Sequence, residues 1–389
     1  MMTTLLIVLA FVAGIIISAY LVMNYVPSFG GKLSEERMRT ITRSRHFEGG
    51  KFRNLIPTAM DTSLKTNISI LLDFMKGTPE GKPVRPIAAE RWRPLRLQDN
   101  RSASVTWLGH SALWLEVEGK TMIVDPMLGR TPSPFPQIGG KRYRTTLSLQ
   151  LDQLPPIDAV LISHDHYDHL DYGTIMKLKD NVKRFFVPLG VGAHLERWGI
   201  DRKNITELDW WEEAEFEGLT LASTPARHFS GRRLTGRDTT LWCSWVIKGE
   251  YNSLFFSGDS GYGPHFKQIG DKYGPFDLTL MECGQYDRRW SAIHMVPEET
   301  VQAHLDVKGK RMIPIHWGAF SLAMHAWTDP VERAVKAAKE KNAAICTPKI
   351  GETVVVGSGH YPSSAWWRHQ HDGVIGYFSP KATHSDSTV

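Results

Sequence analysis

The stretch Ala159-Val160-Leu161-Ile162-Ser163-His164-Asp165-His166-Tyr167-Asp168-His169-Leu170-Asp171 decides how this chain is read. Its first half is an apolar run that fits a buried strand, and it leads straight into clustered histidines and aspartates. At a strand end, residues two apart point to the same side, so His164 and His166 can serve one ion together. Asp168 and His169 follow one turn later, at the start of a helix, within reach of a second ion. Imidazole and carboxylate donors suit zinc, with iron or manganese as alternatives. A lone histidine is usually structural, but this density of donors at a strand end is not explained by core packing.

Outward from this point the pattern is one of short strands and intervening helices. Residues 105–108, 112–117, 121–124, 159–163, 183–187, 219–223, 242–248 and 253–257 read as strands. Helical spacing of apolar residues occurs over 172–180, 191–198, 298–306 and 330–341. The alternation predicts a layered α/β architecture. No repeat at solenoid periods is present.

With 389 residues, 42% hydrophobic and 22% charged, the chain can bury a sizeable core. A formal net charge of +5 favours anionic partners only weakly. Cys243, Cys283 and Cys346 form no CxxC pair, which argues against a disulfide framework and fits a reducing compartment. Cys283, although close to motif residues, reads as a buried inert thiol. The 13 tryptophans suit a core or a membrane interface.

Four zones are expected: an N-terminal transmembrane anchor (1–26), a basic connector with an amphipathic helix (27–100), a catalytic domain (101–360) and a C-terminal tail (361–389). Residues 5–23 carry no charge and as a helix would span about 28 Å, close to a bilayer core. No Lys or Arg precedes this run and no A-x-A site follows it, which favours an uncleaved anchor over a cleaved signal. Seven bases against three acids over 32–53 place the bulk of the chain on the cytoplasmic face of the cell membrane and suit anionic headgroups; a solvated linker is the bland alternative. The apolar spacing at 64, 68, 71, 72 and 75 predicts an amphipathic helix, packed on the domain or lying on the membrane, with packing the commoner fate. Residues 77–96 read as an extended loop and 379–389 as a polar, disordered end.

The run His164-x-His166-x-Asp168-His169 resembles the signature of the metallo-β-lactamase superfamily. More narrowly, the chain is similar to N-acylphosphatidylethanolamine-hydrolysing phospholipase D enzymes and their bacterial relatives over roughly residues 50 to 350. The similarity includes Thr106-Trp107-Leu108-Gly109-His110-Ser111, Asp125-Pro126, Gly140-Lys141-Arg142-Tyr143 and Thr224-Pro225-Ala226-Arg227-His228-Phe229-Ser230-Gly231-Arg232. It continues through Ser257-Gly258-Asp259-Ser260-Gly261, Tyr273-Gly274-Pro275-Phe276-Asp277, Pro297-Glu298-Glu299 and Ile315-His316-Trp317-Gly318. The resemblance implies a four-layer αββα sandwich and two zinc ions, or other divalent metals. It implies that His228 joins His164 and His166 on the first ion, that His316 joins Asp168 and His169 on the second, and that Asp259 bridges them. Asp125 resembles an acid that orients the first motif, and Asp165 either does likewise or caps the loop. A histidine at the His294 position lies over the metals in this family, and His110 stands near the mouth; both are candidates beside a core reading.

Two divalent ions set against Asp168, Asp259 and one hydroxide leave a net positive centre, which suits a phosphodiester anion. The resemblance and the anchor together imply a phospholipase D-type hydrolase of membrane phospholipid, with Asp259 and His294 as catalytic residues. Hydrolysis of a small sugar lactone or phosphate ester, and a non-catalytic metal-binding sensor, are the alternatives. No Lys/Arg-aromatic insert between 170 and 315 supports a nucleic-acid partner. A homo-oligomer is compatible with the sequence.

Overall fold

The computed structural model describes residues 1–370 apart from 62, 95–98 and 234; the expected polar end at 379–389 lies outside the described residues. Helix α1 (Met2–Tyr25) is followed by α2 (Glu35–Ile41), a small ribbon of β1 (Phe47–Glu48) and β2 (Lys51–Phe52), and α3 (Leu64–Lys76). The body then begins with β3 (Ala103–Trp107), β4 (Leu113–Val117), β5 (Lys120–Val124) and β6 (Ile157–Leu161). Helix α4 (Tyr172–Leu178), β7 (Val182–Pro188), α5 (Gly192–Arg197) and β8 (Ile205–Leu208) follow. The second half holds β9 (Glu213–Phe216), β10 (Leu219–Thr224), β11 (Ser244–Lys248), β12 (Ser253–Phe256), α6 (His265–Tyr273) and β13 (Leu278–Glu282). It ends with α7 (Pro297–Asp306), β14 (Met312–Ile315), α8 (Asp329–Glu340) and β15 (Thr353–Val355).

The strands make a 7-stranded sheet in the order β15-β3-β4-β5-β6-β7-β8 and a 6-stranded sheet in the order β14-β13-β12-β11-β10-β9. Period-2 alternation sorts their side chains into three cores. Met122 and Val124 of β5, Trp245 and Ile247 of β11, and Leu254 and Phe256 of β12 face one another between the sheets. Trp114, Ile123 and Val160 point outward, where Ile175 and Leu178 of α4 and Leu195 of α5 cover them. Val246, Phe255 and Met281 point the other way, against Phe266 of α6, Val301 of α7 and Ala337 of α8. The result is the expected αββα sandwich. Helix α4 starts where Asp171 caps it, its carboxylate accepting from Thr174 N at 2.8 Å.

Around this body the N-terminal zones behave differently from a loose tether. Helix α1 is 24 residues long, apolar enough to cross a membrane, and none of its residues is buried. Its exit is docked: Trp198 Nε1 donates to Pro27 O at 2.8 Å and Ser28 Oγ to Pro134 O at 2.6 Å. Phe29, Ile41 and Phe52 of the connector are buried. Arg37, one of its bases, is buried against Glu207 at 2.8 Å and Glu196 at 3.2 Å, so its charge serves the fold rather than a headgroup. The commoner fate expected for the 64–75 segment is not observed: α3 forms, capped by Ser63, but Leu64, Leu71, Leu72 and Met75 stay 57–76% exposed. Residues 77–94 form no helix or strand, as expected, although Ile87 and Trp92 are buried. At the other end the packed body passes the expected boundary at 360, because Trp366 and Trp367 insert beside Trp107 and Trp317.

Candidate metal centre

Every site residue follows the end of a strand, and these ends lie on one edge of the sandwich. His110 follows β3, Asp125 follows β5, and the cluster from His164 to His169 follows β6. His228 comes after β10, Asp259 after β12 and His316 after β14. The loops are held in place by local exceptions to ordinary backbone geometry: His110, Asp125 and His316 have φ of 56°, 42° and 66°, uncommon for side chains larger than glycine. Reciprocal bonds between His110 and its opposite loop tie the halves together, with His110 N donating to Trp317 O at 3.1 Å and His316 N to His110 O at 2.9 Å.

Each key imidazole spends one nitrogen on an outer partner, which leaves the other facing the centre. His164 Nδ1 meets Ser163 Oγ at 2.9 Å, His169 Nδ1 meets Asp125 Oδ2 at 2.6 Å, and His228 Nδ1 meets Ile293 O at 3.0 Å. Asp125 also accepts from Ser163 N at 2.7 Å and Ser163 Oγ at 2.5 Å, so this buried carboxylate sets the orientation of the first motif as expected. Asp165 does not: its carboxylate turns away to Gly231 N at 2.8 Å, Thr240 Oγ1 at 3.0 Å and His194 at 3.2 Å, and it braces the loop.

The free nitrogens converge. His166 Nδ1 lies 2.9 Å from His164 Nε2 and 3.2 Å from His228 Nε2. Two nitrogens on one tetrahedral zinc sit about 3.3 Å apart, so this spacing fits a shared ion. His110, Asp168, His169 and His316 make a second group whose ligand atoms lie within 4.8 Å of one another. Asp259 stands between the groups. Its Oδ2 is 3.0 Å from His169 Nε2 and 3.8 Å from both His164 and His228, while Oδ1 is 3.2 Å from His316 Nδ1. Buried Asp259 Oδ1 and His169 Nε2 have no hydrogen-bond partner.

The electrostatics also fit a cation. Burial lowers the basicity of His164 and His228 and brings His166 down to about 4, so each ring is neutral with a lone pair to offer. Burial pushes Asp259 up to about 6. Burial opposes a charge on His169, yet Asp259, Asp168 and Asp125 hold it well above its ordinary value: the carboxylates call for a positive charge that a metal ion would supply. The donor set therefore fits metal.

His294 lies on the cavity wall beside the cluster, its ring 5.0 Å from His228 and 5.2 Å from His316. His110 joins the second group through Asp168 Oδ2 at 3.0 Å. Three other histidines are structural: His304 bonds Thr279 Oγ1 at 2.7 Å, His265 meets Ser260 Oγ at 3.0 Å, and His325 accepts from Gln285 N at 2.9 Å. Cys243, Cys283 and Cys346 are buried free thiols, and the burial of Cys283 is as expected. The sequence reading missed Asn54, whose amide clamps His228 through bonds to its N and O at 3.1 and 2.8 Å. Arg232, which ends the stretch from Thr224 that carries the resemblance, has a role the resemblance does not give: it donates to Asp165 O at 2.6 Å and Leu170 O at 2.8 Å. Asn54 has no local pattern that marks it.

The centre floors a cavity of about 320 Å³. Met60, Ile70, Trp290 and Leu322 give its lining apolar surface, and Arg237 and Arg289 add charge to it.

A β-lactamase superfamily domain model matches residues 120–317. An uncharacterized protein of Mycobacterium tuberculosis is 41% identical over 331 residues, covering 84% of this chain and 88% of its own. The N-acyl-phosphatidylethanolamine-hydrolyzing phospholipase D 1 of Caenorhabditis elegans is 35% identical over 265 residues, 64% of this chain and 74% of that protein. Among solved structures, an isothiocyanate hydrolase from Delia radicum gut bacteria superposes with a TM-score of 0.51 at 20% identity, over 64% of this chain and 98% of its own, which speaks to fold alone. Two facing sheets with histidines and aspartates gathered at one edge, and a family match that spans them, give one answer: the chain belongs to the metallo-β-lactamase superfamily of metal-dependent hydrolases.

Proposed function

We propose that this protein is a dinuclear, zinc-type phosphodiesterase of phospholipase D kind, which cleaves N-acylphosphatidylethanolamine-like lipids in the membrane that α1 anchors it to, from the cytoplasmic face. The observation that carries the reading is a juxtaposition. A two-group donor set with Asp259 between its groups lines a cavity whose wall also includes Asn67 and Ile70 of α3, a helix with an exposed apolar face. The likeness to the worm phospholipase D gives independent support.

His164, His166 and His228 would hold one ion and Asp168, His169 and His316 the other, with Asp259 between them. When bound, such ions supply Lewis acidity and lower the pKa of water toward about 7. The chain's own residues do the rest. Arg237, on the cavity lining, draws the phosphodiester anion toward the centre, while Arg289 is held by Asp73 at 2.7 Å and Asp287 at 2.8 Å. Met60, Ile70 and Leu322 take acyl chain and exclude water from the floor. Asp259 orients the attacking water through a carboxylate oxygen. His294, on the cavity wall, meets the leaving oxygen. The diester and one water give a lipid phosphate and an N-acylated amino alcohol.

Paired assays test this reading. The zinc-replete protein should turn over N-acylphosphatidylethanolamine in mixed micelles and leave sugar lactones intact. Lactone hydrolysis without lipid hydrolysis would overturn it in favour of the soluble-substrate alternative.

A further inference from the structure

Glu282 closes β13 and is completely buried. Its backbone is fixed: Glu282 N donates to Ser257 Oγ at 2.9 Å and its carbonyl accepts from Thr300 Oγ1 at 2.8 Å. One carboxylate oxygen, Oε1, accepts from Met295 N at 2.9 Å and Ser260 N at 3.3 Å. The other, Oε2, is buried without a hydrogen-bond partner. So is His294 Nδ1, and the two atoms face each other at 3.6 Å. A buried acceptor and a buried ring nitrogen left unmade are each costly, and a shift of about half an ångström would turn the contact into a hydrogen bond. Burial pushes the Glu282 carboxyl well upward against the pull of the Met295 and Ser260 N–H groups and of His169, a cost that a further N–H donor at Oε2 would offset.

We infer that Glu282 is the positioning residue for His294, accepting a hydrogen bond from Nδ1–H at Oε2 and so turning Nε2 toward the cleft. The ring then stacks on His316 with planes 16° apart and presents a fixed edge to substrate. A metal ligand's outer carboxylate does the same for its imidazole, but here the held ring is the one on the cavity wall. The inference rests on the phosphodiesterase reading only for its kinetic arm.

The test uses Glu282→Gln, which preserves shape. In that variant the amide oxygen is claimed by Met295 N–H, so the amide NH₂ faces His294 Nδ1 and forces it to accept. The donor and acceptor roles reverse. Long-range ¹H–¹⁵N spectra of zinc-loaded, histidine-labelled full-length protein should report Nδ1 of His294 as protonated in the parent and unprotonated in the variant. With bis(p-nitrophenyl) phosphate as probe, kcat should fall about 10²-fold while KM stays within about twofold. The thermal midpoint should hold, since a merely structural carboxyl is replaced by an isosteric amide. An unchanged Nδ1 signature, or an unchanged kcat with the signature reversed, would overturn the inference. If the probe is not hydrolysed at all, the spectra still decide the positioning claim, and only the phosphodiesterase reading falls.

Discussion

Replacing Arg232 with methionine removes a buried guanidinium that joins the exit of α1 to the loop that carries His166, Asp168 and His169. Arg232 is 4% exposed and gives two N–H groups to Ser28 O at 3.1 and 2.8 Å, and one group to both Asp165 O at 2.6 Å and Leu170 O at 2.8 Å. It also lies over the Tyr167 ring at 4.0 Å. Methionine keeps the apolar stem but leaves three carbonyls without this donor. At about 1–3 kcal/mol for each buried unsatisfied group, and with the three carbonyls sharing one guanidinium so that their losses do not add fully, the expected loss is about 3–5 kcal/mol. The same change frees the loop carrying His166, Asp168 and His169, so zinc affinity should drop on the order of 10- to 100-fold. Urea unfolding of the apoprotein reads the first number, and zinc titration against a competing chelator reads the second. Arg233→Met is the control, because among the described residues Arg233 bonds Phe29 O and Gly30 O on the α1 side and no carbonyl of the metal-site loop. It should cost less and leave metal affinity alone. A loss below about 1 kcal/mol with parent-like zinc binding for Arg232→Met would refute the reasoning.

Other expectations follow from the same geometry. His166→Ala should lower bound metal and abolish turnover with the fold intact, as read by metal analysis beside circular dichroism; full metal content would contradict the first-ion assignment. Burial holds His304 near 4 and His265 near 3 against an ordinary 6.5, so both are neutral when folded and protonated when unfolded below that value. The unfolded state then binds more protons, so this contribution to stability is full above pH 6.5 and falls away toward pH 4. His304→Gln should flatten that slope in urea midpoints measured at several pH values, and a parallel slope would refute it. Leu71 and Leu72 are more than half exposed, so their joint change to serine should barely move the unfolding midpoint yet reduce hydrolysis of lipid in vesicles. Equal rates on vesicles would show that α3 does not meet the membrane.

The donor motif was legible in the sequence because its histidines and aspartates sit together after one strand. That Asp259 belongs beside them came from resemblance, since nothing in Ser257-Gly258-Asp259-Ser260 announces where β12 delivers it. Strands β8, β9 and β15 went unread because they are short edge or near-edge segments with weak alternation. Strand β13 went unread because it is buried along its whole length, which erases period-2 contrast. The docking of the connector was also hidden. Arg37 looks like any surface base until Glu207, 170 positions away, is brought to it. Asn54 and Glu282 act on His228 and His294 through contacts that only the tertiary fold creates.

The central claim is that the metal centre cleaves a membrane phosphodiester. The most direct measurement is lipid mass spectrometry of vesicles containing N-acylphosphatidylethanolamine, incubated with the zinc-loaded protein and with its Asp259→Asn variant. The account predicts phosphatidic acid and N-acylethanolamine in equal amounts from the parent and neither from the variant. Intact lipid after incubation with a parent protein that carries two ions per chain would contradict it.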